Sequence, residues 1–406
     1  MNYLQFVIRS VRGMFDGGLL FRSWLLLLAV IAGMGVMAYR NQAEAGLGIT
    51  GMTDQVSWGL YIANFTFLVG IAAAGVMMVI PGYLYHHKEI KGAVLLGEIV
   101  AIGAIVMCLL FVVVDLGRPD RMWHMIPPFG RFNFPISMLS WDVLVLNGYL
   151  LLNLHIPGYL LYKKYKGEKP APWLYLPFVY ISILWAISIH TVTAFLYTGL
   201  AGRPFWNAAI LAPRFIASAF CAGPAFIVLI LEIVRGRTAF PMGGRVIGFL
   251  RMVVLIAGLI NIFLLISEVF TEFYAGSTHV ASAHYLFFGL HGHSQLVPWI
   301  WTAIALNVTA LVALMSRQFE HRGILLRSAP LFMLIVAIWI EKGMGLVVPG
   351  FTPTPLGEIV EYHPTGNEIM VSVGIWAVGL FIISVLIKHG VDIETKAVAP
   401  PARRPS

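Results

Sequence analysis

Cysteine is nearly missing from this 406-residue chain: Cys108 and Cys221 stand singly in apolar runs, with no C-x-x-C or C-x-x-C-H. The chain alone therefore lacks the thiolate set of an iron–sulfur cluster and the attachment motif of a c-type haem. Charge is scarce too. Charged residues make up 11% of the chain and hydrophobic ones 59%, against about 25% and 45–50% in soluble domains, which excludes an ordinary soluble protein. Paired intraspan histidines, the axial ligands of a b-type haem, are also wanting. His190 alone lies well inside an apolar run; His155 is near an inner end, His86 and His87 at an edge, and His279, His284, His291 and His293 in one loop. His291 and His293 have no cysteine or carboxylate beside them in sequence, so partner or loop contact is preferred to a metal site. Ser/Gly linkers are absent, and only the tail 396–406, with Pro400, Pro401 and Pro405, predicts disorder.

What the chain has instead is long apolar runs. A span needs about 20 apolar residues, and ten runs qualify: 23–39, 56–82, 92–114, 135–160, 174–198, 208–233, 246–271, 295–316, 328–348 and 368–387. They predict an all-α integral membrane protein in which spans 2–5 and 6–9 form two four-helix bundles with flanking helices. Nineteen Lys and Arg fall on the side of the termini and six, Lys342 among them, on the other. The positive-inside rule then puts both termini in the cytoplasm. The net charge of +8 belongs to that topology rather than to nucleic-acid binding. Arg9, Arg12 and Arg22 before an apolar run, with Ala43-Glu44-Ala45 after it, imitate a signal peptide, and span 1 is read as a retained anchor. Residues 1–22 form a cytoplasmic interfacial helix, 23–390 the membrane domain and 391–406 a cytoplasmic tail.

An ionisable group at mid-bilayer costs about 2.5–3.5 kcal/mol on insertion scales, so each one in a span is a functional candidate. Asp115 ends span 3, while Asn64, Asp142 and His190 occupy the outer thirds of spans 2, 4 and 5, predicting one polar constellation near the outer face. Arg214 of span 6, Glu268 and Glu272 of span 7, and Glu341 with Lys342 of span 9 make a matching set, for which buried salt bridges compete with function. Asp142, Tyr149 and Asn153 share a helical face that descends about 16 Å inward, the layout of a partial proton path. Asn261, Glu268 and Glu272 stripe span 7, and the two carboxylates repel unless one is protonated or a cation intervenes. Glu98, Glu341 and these two stripes complete the candidate path. Glu232, at an inner end, is a weaker candidate.

The loops carry the most specific text. Asp115-Leu-Gly-Arg-Pro-Asp-Arg-Met-Trp-His124 follows span 3, where Arg118 can turn onto Asp115 or Asp120; Thr198-Gly-Leu-Ala-Gly-Arg-Pro-Phe-Trp-Asn207, running on to Ala212-Pro-Arg214, joins spans 5 and 6. With Ser140-Trp-Asp142 and ten spans, these stretches resemble the NrfD, or polysulfide-reductase, membrane-subunit family over nearly the whole chain. Within it the chain is similar to the membrane subunit of the Qrc menaquinone reductase complex of sulfate-reducing bacteria. The resemblance implies a multi-pass subunit of the bacterial inner membrane that binds menaquinone in an outer-facing pocket of spans 2–5. It further implies a periplasmic ferredoxin-like iron–sulfur subunit, a molybdopterin-oxidoreductase-like subunit and a multihaem cytochrome c as partners. Asp115, Asp142 and His190 would then bond the quinone oxygens or exchange their protons. Asn64, Arg118 and Tyr197 would complete the pocket, with Arg118 holding Asp115 in place. Proton uptake from the cytoplasm would make turnover electrogenic.

Three rivals remain at this stage. A related complex could run the reaction backwards and oxidise menaquinol. A secondary transporter favours midplane sites and interrupted helices; here the charges cluster toward one face, although Gly223-Pro224 is an interruption in span 6. A mere anchor for an outer redox module would tolerate substitution of Asp115, Asp142 and His190.

Overall fold

The computed structural model describes residues 3–85, 88–240, 242–276, 280–316 and 323–395. The tail 396–406, His86, His87 and His279 lie outside the described residues. Among those described, ten helices are long and apolar enough to cross a membrane: Leu19–Ala45, Leu60–Tyr83, Gly92–Asp115, Met138–Lys166, Pro172–Thr198, Leu211–Arg237, Gly244–Ala275, Val297–Met315, Ile324–Val347 and Gly366–Glu394. They match the ten apolar runs in order and overrun most of them, because polar residues extend the helices into the interface. In span 4, Lys163, Lys164 and Lys166 occupy the last turn, where cations complement the exposed carbonyls, and Gly167 ends the helix at φ 68°. Span 10 opens with a reciprocal cap: Thr365 accepts from the Glu368 amide, and Glu368 accepts from the Thr365 amide.

Spans 2, 3, 4 and 5 close into one ring of neighbours and spans 6, 7, 8 and 9 into another. The two bundles meet along a seam where span 2 packs on spans 6 and 9 and span 5 packs on span 6. Span 2 accordingly has 94% of its apolar window buried, as a helix that is hydrophobic all round must be. Span 10 lies against spans 1 and 3, and span 1, 17% buried, is left largely to lipid. The loops after odd-numbered spans share one face, here the odd-loop face, and the first and last described helical ends, with Phe6 and Ile393 in contact with Tyr165, share the opposite one. Beside the termini, helix Tyr3–Gly13 tucks Phe6 among Tyr162, Tyr165 and His389 and exposes Val7, Ile8 and Val11.

Lipid offers helices no hydrophobic reason to associate, so close backbone packing has to hold them. Gly223 does this at the seam, where a Cβ would come within 3.0 Å of the Gly70 carbonyl of span 2. Span 6 runs unbroken through Gly223-Pro224, correcting the expected interruption. The glycine serves a close approach, and the proline is tolerated because its freed backbone group is buried in protein. Gly35 and Gly374 join spans 1 and 10 in the same way, with a Cβ on Gly35 meeting the Gly374 Cα at 2.6 Å. Gly374→Leu should therefore cost about 1–3 kcal/mol through overpacking, seen as a lowered midpoint in a thermal scan of the purified protein. An unchanged midpoint would contradict this contact.

Candidate functional site

Near the odd-loop face of the first bundle, span 5 turns His190, Thr193 and Tyr197 to one side, at spacings of three and four residues. Span 4 starts after Pro135, whose carbonyl accepts from Trp141 Nε1 at 2.8 Å, and so sets Asp142 in its first turns. Asp142 is 2% exposed. Its Oδ1 receives the Thr193 hydroxyl at 3.4 Å, while that same hydroxyl has a better acceptor in the Ile189 carbonyl at 2.8 Å. A buried carboxyl so thinly served keeps capacity for a ligand's hydrogen bonds. His190 is 1% exposed and, among the described residues, neither ring nitrogen has a hydrogen-bond partner. A buried imidazole without partners is costly unless something else uses it.

Tyr197 donates to Thr66 Oγ1 at 2.5 Å, Thr66 in turn donating to the Ile62 carbonyl. Above Tyr197 stands an aromatic wall. Trp206 and Trp58 present edges to it at 5.2 and 5.6 Å and stack on one another at 5.5 Å, with Phe351 edge-on to both. Trp206 Nε1 donates to the Leu346 carbonyl, fixing the wall to the end of span 9. Cys108 closes the far side with its sulfur toward the Phe65 carbonyl. Thr66, Cys108, Thr193, Trp58 and Trp206 were not among the sequence candidates. The first three carry no charge. Only the helical spacing of Thr193 from His190 could have drawn attention to one of them.

Three expected members stand apart. Asn64 offers its Oδ1 to the indoles of Trp339 and Trp376 at 3.0 and 2.9 Å and its Nδ2 to the Leu60 carbonyl. It thus ties span 2 to spans 9 and 10 and is fully engaged, so it does not join Asp142 and His190. Asp115 is half-buried, with a buried, unpartnered Oδ1, and its neighbours in charge are Glu368 and the Tyr61 and Tyr197 phenols. Arg118 does not hold it: the exposed guanidinium makes two bonds to Asp120, at 2.9 and 2.8 Å, where the short turn lets the planar fork match the carboxylate. That pairing holds the Asp120 carboxyl below the usual range. Inward from Asp142, Tyr149 and Asn153 are buried on the same face, and Asn153 donates to the Tyr149 carbonyl. Glu98 of span 3, 3% exposed, lies within electrostatic reach of Tyr149. Val145 and Leu146 fill the bundle between Asp142 and Tyr149, a gap that only water could bridge for a proton.

The second bundle gathers its expected set except for Lys342. Arg214 pairs with Glu268, and its Nη2 lies 2.7 Å from Glu341 Oε1. Asn261 donates to both Glu341 oxygens at 3.3 and 3.2 Å, and Asn307 to Oε2 at 3.3 Å. Arg214 is thus a cation beside Glu268, one of the two glutamates of span 7. Glu272 shares with Arg214, Glu268 and Glu341 a cavity of ≈ 20 Å³, walled by Phe205, Leu265 and Phe287, about the room one water needs. Lys342, counted by sequence among the outer-side charges, is instead buried inside span 9, its Nζ 2.7 Å from the Phe215 carbonyl. Span 9 makes a π-helical turn at Ile340–Met344, which carries both Glu341 and Lys342. Arg214→Met would strand two buried carboxylates at a cost of about 3–5 kcal/mol. A thermal scan should show a large loss for that variant and partial recovery when Glu268→Gln and Glu341→Gln are added. Wild-type stability in the single variant would refute the pairing.

On the odd-loop face, Trp123, Ile126, Phe129 and Ile136 are exposed beside Arg118 and Arg121. Arg203 lies over the Phe351 ring at 4.6 Å. His293 has a carboxylate after all, since Glu361 comes within 3.5 Å of its Nδ1 from a distant part of the chain. Among the described residues no cluster of three or more potential metal ligands forms.

Comparison with known proteins gives a match to the family described as polysulphide reductase, NrfD, over residues 48–342. A Halobacterium salinarum protein, provisionally named as a membrane subunit of dimethyl sulfoxide reductase, is 24% identical over 95% of this chain and 94% of its own. The Hdr-like menaquinol oxidoreductase integral membrane subunit of Archaeoglobus fulgidus is 22% identical over 49% of this chain and 47% of its own. The menaquinone reductase integral membrane subunit of Nitratidesulfovibrio vulgaris is 28% identical over 32% of this chain and 30% of its own.

Proposed function

The chain belongs to the NrfD polysulphide reductase family, and from that premise we propose that it is the quinone-binding membrane subunit of a respiratory oxidoreductase complex that reduces menaquinone. The observations that carry this reading are a thinly bonded Asp142 on span 4 and, on span 5, a His190 whose ring nitrogens have no hydrogen-bond partner among the described residues, both buried near the odd-loop face on the side of Tyr197 and its wall of Trp58 and Trp206. Menaquinone supplies a ring that accepts two electrons and two protons to become the quinol. Asp142 and His190 are the groups here that can bond its oxygens and hand over protons. Tyr197, held by Thr66, would orient the ring, and the apolar wall would exclude water. A related subunit named for menaquinone reductase supports the choice of quinone.

Electrons have to come from elsewhere, since the chain carries no cluster or haem motif. We place the donor, a ferredoxin-like iron–sulfur subunit accompanied by a molybdopterin-oxidoreductase-like subunit and a multihaem cytochrome c, on the odd-loop face. Its exposed Trp123, Phe129 and Arg118 have the aromatic and Arg mixture of interface cores. The excess of Lys and Arg beside the termini supports a periplasmic odd-loop face in the inner membrane. Glu98, Tyr149 and Asn153 would carry protons from the cytoplasm toward Asp142, and Asn261, Glu268, Glu272 and Glu341 would serve a second route. A second reading, menaquinol oxidation through the same residues, is favoured by the relative named menaquinol oxidoreductase.

The test is made on the native complex, purified with its subunits and bound quinone identified, then placed in liposomes with internal and external pH varied separately. Asp142→Asn should lower quinone turnover about 10²-fold or more with the complex still assembled, because the amide keeps the shape and loses the exchangeable proton. Full activity of that variant would remove Asp142 from the site. Asn153→Leu should slow turnover where protons must come from the terminal side. Turnover indifferent to it and sustained from the odd-loop side alone would eliminate the inward route.

A further inference from the structure

Helix Tyr3–Gly13 has no part in the quinone site, and the way it is held leaves much of it uncovered. At about 100° per residue its positions fall into three sectors. Phe6, Ser10 and Gly13 form the first, which lies on the protein. Phe6 packs with Tyr165 of span 4 and Ile393 of span 10, and a Cβ on Gly13 would come within 3.9 Å of His389 Nδ1. The attachment is thin. Among the described residues, the buried Ser10 hydroxyl and both His389 ring nitrogens have no hydrogen-bond partner, so these groups add nothing to the grip on the helix.

Val7, Ile8 and Val11 form the second sector, and all three are exposed. Their apolar surface does not stop with the helix. Exposed Phe15, Leu19 and Leu20 carry it through the Gly17-Gly18 turn into span 1, where a Cβ on Gly17 would meet the Phe21 ring at 2.5 Å. Span 1 is 17% buried and stands largely in lipid. The register gives the third sector Gln5, Arg9 and Arg12. Arg22 at the start of span 1, and Lys166 and Lys169 at the end of span 4, are exposed on the same face of the molecule.

An apolar sector beside a basic one is the pattern of a helix lying in a membrane interface, where the apolar side enters the acyl boundary and the cations meet anionic headgroups. Continuity with span 1 selects lipid over a protein partner, since the exposed apolar surface runs without a break into the bilayer. We propose that helix Tyr3–Gly13 lies on the leaflet opposite the odd loops, with Val7, Ile8 and Val11 in the acyl boundary and Arg9 and Arg12 recognising anionic phospholipid. Lipid, more than protein, then holds the helix across the ends of spans 4 and 10. The proposal is independent of the quinone reading.

Cys108 and Cys221 are buried, so a cysteine introduced by Val11→Cys or Gln5→Cys can be spin-labelled selectively. The intact complex and the full-length chain alone are placed in phosphatidylcholine vesicles with and without phosphatidylglycerol. At Val11 the label should collide with oxygen and be shielded from a water-soluble nickel chelate; at Gln5 the reverse is expected. Phosphatidylglycerol should favour the immersed state at Val11, and Arg9→Gln and Arg12→Gln should each lower the ratio of immersed to water-exposed label about fivefold in those vesicles. A Val11 label open to the chelate in both kinds of vesicle overturns the proposal. Shielding seen only in the complex does so too, because this face would then be a protein dock, and shielding indifferent to both arginines leaves anionic lipid no role and has the same result. If the arginine variants do not assemble, about 1 M salt, which shortens the Debye length to about 3 Å, decides: immersion unchanged by salt overturns the proposal.

Discussion

Every polar group inside this bundle must be satisfied by protein, because the surrounding solvent is lipid and offers no hydrogen bonds. The arrangement of the interior follows from that constraint. Asn64 sits on the most buried helix and is answered by two indoles from separate spans. Arg214 is answered by two carboxylates, and Glu341 by an arginine and two amides. Against this background, among the described residues, His190 has no hydrogen-bond partner at either ring nitrogen, as His389 at the far end of span 10 also has none, and Asp142 has one long contact. They are places where the protein has left its own interior incomplete, and incompleteness at that cost is what a substrate pocket requires.

The two bundles repeat one plan at one depth. Each is built from four consecutive spans, and Asp142 and His190 in the first and Arg214, Glu268 and Glu341 in the second lie within about two to three turns of the odd-loop end, while Glu98, Glu232 and Arg251 lie deeper. They differ in how far those charges are neutralised. The second bundle is closed on itself by ion pairs, leaving room for about one water. The first is closed by aromatic rings and hydroxyls. The seam of spans 2, 5, 6 and 9 lies between them.

The fold was legible because a span is a bulk property: 20 apolar residues announce themselves without regard to partners. The clustering of Arg214, Glu268, Asn261 and Glu341 was legible for a related reason, since charges stranded in lipid have to find one another. Directions of side chains were not. Asn64 and Asp142 lie at similar depths, yet one faces the seam and span 10 and the other the first bundle, a difference of rotation that hydropathy does not record. Arg118 could have reached either of two aspartates, and its choice depended on the turn between them. Lys342 was read in span 9 beside Glu341, but its separation from that glutamate was not legible, because the π-helical turn that carries both has no clear sequence mark. Thr193 and Thr66 were invisible because hydroxyls are common in membrane helices and mostly bond their own backbone.

Span 1 is synthesised well before span 10, and they are each other's principal partners. Trp24 donates to Ser384 across 360 residues of sequence, and the Gly35 and Gly374 backbones touch a few turns away. At 5–20 residues per second, roughly 20–70 s separate the emergence of the two. Throughout that interval span 1 must wait in lipid with its glycine face open, while the eight spans between them fold. Span 10 therefore closes the face that span 1 leaves open. A chain that stops short of it leaves an unpaired groove in the bilayer, a feature by which incomplete copies can be told from finished ones.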